Sequence, residues 1–220
     1  MTEKIKAWSY SRLSTYEACP YKAKLLYIDG FKEPSNKHMD RGSAIHAELE
    51  EYLKGKDDRV PQSGLKLEEE CIALKVRRPY TELSVGLNEK WESVEWMAKD
   101  IWARIKIDVM AKDSTDIEII DWKSGRIRDG YGEQLELYSL TGLAMFPKAE
   151  IIKTANYYVD AGKICTGTTY ARADFEDLKI KWAEKVRPML TDTEFKPKQN
   201  KYCYSCQFRK SNAGSCVVDA

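Results

Sequence analysis

The chain has no long hydrophobic run: nothing in its 220 residues approaches the roughly 20 consecutive apolar residues needed to span a bilayer. Its opening, MTEKIKAWSYSRLS, lacks the apolar centre of a secretory signal. A cytoplasmic protein with no membrane association is therefore expected. There is no internal repeat and no low-complexity segment, which excludes solenoid and fibrous architectures. There is also no overall charge bias. Lys and Arg number 36 against 35 Asp and Glu, a net charge of +1, so composition alone supplies no argument for a nucleic-acid partner. What remains, 32% charged and 11% aromatic residues, describes a folded globular chain long enough to bury a full core.

The charge that is present is unevenly spread. Residues 177–212 carry nine Lys and Arg against four acids, residues 1–41 carry eight against five, and residues 46–70 reverse the sign with eight acids against four bases. Basic ends around an acidic middle suit a phosphate backbone held near a carboxylate metal site; they equally describe solvated helix faces.

Six cysteines stand at 19, 71, 165, 203, 206 and 216. In a reducing compartment disulfides are not expected. Cys203-x2-Cys206, followed after nine residues by Cys216, has the spacing of a metal or cluster site that still needs a fourth ligand. Zn²⁺ held by four thiolates satisfies that spacing. Cys71 and Cys165, on a helix and a strand, read as buried small hydrophobes. Tyr202 and Tyr204 flank Cys203 in a basic segment, where they can stack on unpaired bases or pack around the cysteines.

Periodicity organises the rest. Residues 9–30 read as short helices interrupted by Pro20. GSAIHAELEEYLKG (42–55) reads as a helix capped by Ser43, with Ile45, Leu49 and Leu53 in one stripe, His46 at its flank and Gly55 at its end. A helix around 67–77 precedes strands at 80–87, 101–110 and 116–123, the last two joined by a turn in AKDSTD. A helix at 131–146, a strand at 150–159 with a hairpin partner, and a helix at 174–190 follow. This mixed order predicts an α/β (α+β) fold, a central mixed sheet flanked by helices.

Within IKIDVMAKDSTDIEIIDWKSG, period-two alternation puts Ile117, Ile119, Asp121 and Lys123 on one face of their strand. If that strand pairs antiparallel with the preceding one, Asp108 and Asp121 meet near one end of the sheet. Two clustered carboxylates repel unless a hard cation such as Mg²⁺ or Mn²⁺ neutralises them, and Lys123 then lies within reach of a bound water or phosphate. An isolated D-x-K also arises wherever a strand simply runs out into a loop. Glu82 has nothing in the sequence to separate it from a solvent-facing strand residue.

Four signals in order change that reading. Gly42-x3-His46, Asp108 closing an apolar stretch, IIDWKSG with Asp121 and Lys123, and Gln134-x3-Tyr138 together resemble the PD-(D/E)xK nuclease superfamily, specifically its RecB-like and Cas4-like exonuclease branch. The resemblance covers most of the chain and implies a restriction-endonuclease-like core. It further implies a metal-dependent deoxyribonuclease, an exonuclease that hydrolyses phosphodiester bonds of DNA, single-stranded or at duplex ends, with a metal-activated water. By it, His46, Asp108, Asp121 and the main-chain carbonyl of Trp122 hold Mg²⁺ or Mn²⁺. Lys123, Asp108, Asp121, Gln134 and Tyr138 carry the chemistry. Cys19, in a Cys-Pro context, joins Cys203, Cys206 and Cys216 around a [4Fe-4S] cluster that pins the chain ends beside the core, with zinc as the chemical alternative. The expected domains are a nuclease core at 1–190, whose helical segment 1–41 lends one cysteine, and an iron-sulfur segment at 191–220. The alternative function is a catalytically silent DNA-binding or assembly module of recombination, replication or CRISPR adaptation machinery.

Overall fold

The structure, a computed structural model, describes residues 4–127, 131–212 and 214–216. It divides into two compact units: Met1–Pro34 with Ile180–Ala220, and Ser35–Lys179.

The first unit opens with α1 (Tyr10–Ala18) and α2 (Pro20–Tyr27). Ser9 caps α1 by accepting from the Arg12 amide, and Pro20 occupies the first position of α2, where a missing N–H costs nothing. Between them Cys19 is extended, at φ −160° and ψ 106°. Segments from the two halves of this unit meet within it. Trp8 stacks on Trp182 with ring centroids 5.9 Å apart. The Tyr16 hydroxyl donates to Asp192 at 2.8 Å, and Asn200 Nδ2 donates to the Ala18 carbonyl at 2.9 Å.

The second unit contains α3 (Lys37–Leu53), α4 (Glu68–Val76), β1 (Tyr80–Leu87), β2 (Ser93–Val94), β3 (Ala103–Asp113), β4 (Asp116–Lys123), α5 (Gly132–Met145), β5 (Ile151–Tyr158), β6 (Lys163–Thr166) and β7 (Tyr170–Ala171). A further helix, α6 (Phe175–Thr191), follows. The sheet runs β2-β1-β3-β4-β5-β6, with β7 on β5. Every pairing is antiparallel except β4 with β5, which is parallel and therefore needs α5 as its crossover. One face packs Ile45, Leu49, Tyr52 and Leu53 of α3, with Cys71 and Leu74 of α4, against Val109, Ile120, Trp122 and Tyr157. On the other, a methyl on Gly142 of α5 would stand 3.3 Å from Ile119 and Ile152, so only glycine lets the helix come this close without displacing them. With both faces covered, β4 is buried along most of its length.

Three expectations shift. Helix α3 begins five residues earlier than Gly42, because Asn36 rather than Ser43 accepts the first free amides, those of His38 and Met39. The β3–β4 strands continue through Ala111–Asp113, leaving only Ser114 and Thr115 to turn, Ser114 with a positive φ of 56°. Cys71 is buried as expected, but Cys165 on β6 is only half-buried.

Candidate active site

The β3–β4 ladder ends at Val109–Ile120, one pair short of Asp108 and Asp121. There the Trp122 amide donates to Asp108 Oδ2 at 2.9 Å, so a side chain takes the place of a strand carbonyl. Trp122's own carbonyl faces His46 Nε2 at 3.1 Å. The other ring nitrogen, Nδ1, lies 3.4 Å from Asp108 Oδ2 and 3.7 Å from Glu82 Oε1. Acceptors thus surround the imidazole on both edges. Burial lowers its pKa, but the hydrogen bond and charge of Asp108, with the charges of Asp121 and Glu82, outweigh that and raise it.

Glu82 is the residue that sequence reasoning left open. It is flanked by the pairs Thr81–Val109 and Leu83–Ile107, so it stands opposite Asp108 on β1. Its φ is +46°, a left-handed conformation that a strand glutamate rarely adopts. The signal that could have found it is non-local: the β1–β3 register. His46, Glu82 and Asp108 bring one ligand atom each within 4.8 Å of one another, a group able to hold a metal ion.

Asp121 stands beside Asp108 but is turned to a different partner. It is 3% exposed, and Lys123 Nζ lies 2.5 Å from its Oδ2. Burial, then the charge of Asp108, pushes its pKa up to about 6 against the opposing pull of Lys123 and His46. Lys123 also donates to Gln134 Oε1 at 2.9 Å, and Gln134 Nε2 donates to the Tyr138 hydroxyl at 2.7 Å. The i, i+4 spacing places Gln134 and Tyr138 on one face of α5. Tyr138 is held well above its ordinary pKa, first by burial and then by the charges of Asp121 and Asp108. The loop after Lys123 is fixed from outside: Asp160 accepts from the Gly125 amide at 2.5 Å and from both terminal nitrogens of Arg41 at 2.9 and 2.5 Å.

The structure thus brings His46, Asp108, Asp121, the Trp122 carbonyl, Lys123, Gln134 and Tyr138 to one end of the sheet and adds Glu82. The donor set is oxygen and imidazole nitrogen, which fits a hard or borderline divalent cation. Residues 7–211 match the sequence profile of the PD-(D/E)XK nuclease superfamily. The chain belongs to that superfamily. No curated protein matches it. Among solved structures it is similar to a provisionally named exonuclease from Eubacterium rectale, at 13% identity and a TM-score of 0.52, over 98% of this chain and 90% of that one. It is also similar to SSO0001, at 17% identity and a TM-score of 0.46, over 94% and 86%. The first likeness identifies the fold as restriction-endonuclease-like, a mixed sheet flanked by helices. No helix among the described residues is long and apolar enough to cross a membrane.

The cysteines form a separate arrangement inside the first unit. Cys19, Cys203, Cys206 and Cys216 all line one cavity of about 220 Å³. The Lys198 amide points at Cys19 Sγ (3.5 Å) and the Asn200 amide at Cys203 Sγ (3.3 Å). Before Cys216, the Gly214 amide donates to the Arg209 carbonyl and the Cys216 amide to that of Phe208. A side chain at Gly214 would collide with the Phe208 backbone at 2.2 Å. Among the described residues, no three cysteine sulfurs lie within 4.8 Å of one another. A single tetrahedral zinc with Zn–S bonds of about 2.3 Å would need sulfurs about 3.8 Å apart. Tyr202 and Tyr204 are both exposed, at 59% and 72%.

Proposed function

We propose that this chain is a divalent-metal-dependent deoxyribonuclease, an exonuclease of the RecB-like and Cas4-like type that hydrolyses phosphodiester bonds of DNA, most readily single-stranded. The observation that carries the reading is the convergence of Glu82, Asp108 and Asp121, on adjacent strands, with His46 and the Lys123 ammonium. Membership of the superfamily supports a nucleic-acid substrate.

His46, Asp108, Asp121 and the Trp122 carbonyl would hold Mg²⁺ or Mn²⁺, with Glu82 at hand. A cation bound there would polarise the scissile phosphate and supply a water of lowered pKa. The protein's own groups do the rest. Lys123 presents a positive charge to the oxygens on which charge develops. Gln134 fixes the direction of that ammonium and is itself fixed by Tyr138. Asp108 ties β3 to β4 through the Trp122 amide, which keeps the Trp122 carbonyl turned toward His46.

The deciding experiment is a digest of oligonucleotides labelled separately at the 5′ and 3′ ends, with Mn²⁺ or Mg²⁺. Stepwise shortening is expected from the wild type and none from D108A, D121A or K123A, each checked for folding. Unchanged cleavage by the three variants, or tight binding without cleavage under either ion, rejects the reading.

For the cysteines we propose a [4Fe-4S] cluster held by Cys19, Cys203, Cys206 and Cys216. Sulfurs spread around a common cavity suit a polynuclear centre better than one zinc, and amides directed at two of them are the usual company of cluster thiolates. Protein purified without oxygen should be brown and contain about four iron atoms per chain. A colourless protein with one zinc and no iron rejects the cluster.

A further inference from the structure

Lys123 is 14% exposed and carries three N–H groups with three neighbours around them. Two are the oxygens of Asp121 and Gln134. The third is the face of Tyr131, whose ring centroid lies 4.1 Å from Nζ. Tyr131 occupies the cap position of α5, and its carbonyl accepts from the Leu135 amide at 3.2 Å. The same helix end thus anchors both Tyr131 and Gln134.

These partners differ in kind. Asp121 neutralises the ammonium, whereas Gln134 and the ring orient it without taking away its charge. When Asp121 serves a cation, its hold on Lys123 weakens, and the two uncharged partners are what remain. A lysine left with Gln134 alone could swing about that single hydrogen bond. A ring face on another side removes that freedom, and the ring quadrupole favours a cation over any neutral group.

We propose that Tyr131 is a positioning residue for Lys123, its ring face rather than its hydroxyl keeping the ammonium at the reaction centre when Asp121 engages a cation. The consequence for turnover rests on the nuclease reading above; the contact itself does not.

The test compares wild type, Y131F and Y131L in the full chain. With saturating Mn²⁺ and end-labelled oligonucleotide, Y131F should retain wild-type kcat, while Y131L should lose about tenfold, with KM and Mn²⁺ affinity unchanged. Independently, ¹³C-labelled lysine NMR with diamagnetic Mg²⁺ should show the Lys123 ε-methylene shifted upfield by the ring current. That signal, identified by its loss in K123R, should persist in Y131F and move to the ordinary position in Y131L. Wild-type kcat in Y131L, or equal loss in Y131F and Y131L, overturns the positioning role. A lysine signal indifferent to Y131L overturns the contact. If the wild type cleaves nothing, the nuclease reading has failed and the turnover role with it, and the NMR comparison alone then decides the contact.

Discussion

The Trp122 amide donates to the Asp108 carboxylate at the point where the β3–β4 ladder stops, so Asp108 is at once a strand partner and a candidate ligand. The two duties can be separated. D108N keeps an acceptor for Trp122 and should fold with near-native stability while binding Mn²⁺ at least tenfold more weakly. D108A leaves the buried amide unpaired and should cost a further 1–3 kcal/mol or so. Chemical denaturation and titration calorimetry on the two variants check this. Equal stability of D108N and D108A would show that the hydrogen bond contributes nothing.

Glu82 makes a second separation possible. Its left-handed backbone is tolerated freely by glycine but not by alanine. Both E82A and E82G should weaken divalent-cation binding. E82G should nevertheless be the more stable of the two, by about 1–2 kcal/mol. The reverse order of stability would mean that the backbone conformation is not maintained without the carboxylate.

Tyr16 and Asp192 predict a pH dependence within the first unit. Burial, then the hydrogen bond and charge of Asp192, raise the Tyr16 phenol from 10 to about 12. A pKa raised by folding gives stability that is complete below the unfolded value and lost as pH climbs through the folded one. The stability difference between wild type and Y16F should therefore be constant from neutral pH up to 10 and shrink between pH 10 and 12. Urea midpoints of both proteins across that range measure it. A difference that grows with alkalinity contradicts the assignment.

Asp160 predicts a local effect with little global cost. Its pairing with Arg41 lies at the surface, so D160A should leave the global unfolding midpoint close to that of the wild type. The Gly125 amide, however, loses its acceptor and should exchange with solvent much faster in D160A and at the native rate in R41A. Hydrogen exchange resolved at that amide distinguishes the two. Equal acceleration in both variants would show that the carboxylate holds the loop only while Arg41 positions it.

The parts of this site that could be read in advance are those fixed by short-range geometry. Period two puts Asp121 and Lys123 on one face, and the spacing of four puts Gln134 and Tyr138 on another. Asp108 followed once a tight hairpin was assumed. Glu82 escaped because its significance lies in the β1–β3 register and in a backbone angle that a sequence does not display. Asp160 and Tyr131 escaped for a similar reason. One reaches Gly125 from 35 residues away, and the other matters only because α5 begins immediately after it. The misplaced start of α3 is instructive in another way. Gly42 and Ser43 look like a helix boundary, yet Gly42 lies inside the helix, where a methyl group would stand 3.4 Å from Ser124 Oγ.

The single parallel pairing in the sheet has a further consequence. Because β4 and β5 run in the same direction, the chain must return along the strands before it can pair again, and α5 makes that return. The first turn of that helix reaches Lys123 through Gln134. Evolution could therefore retune the ammonium's surroundings by exchanging side chains on one helical turn, with the strands and their register left untouched.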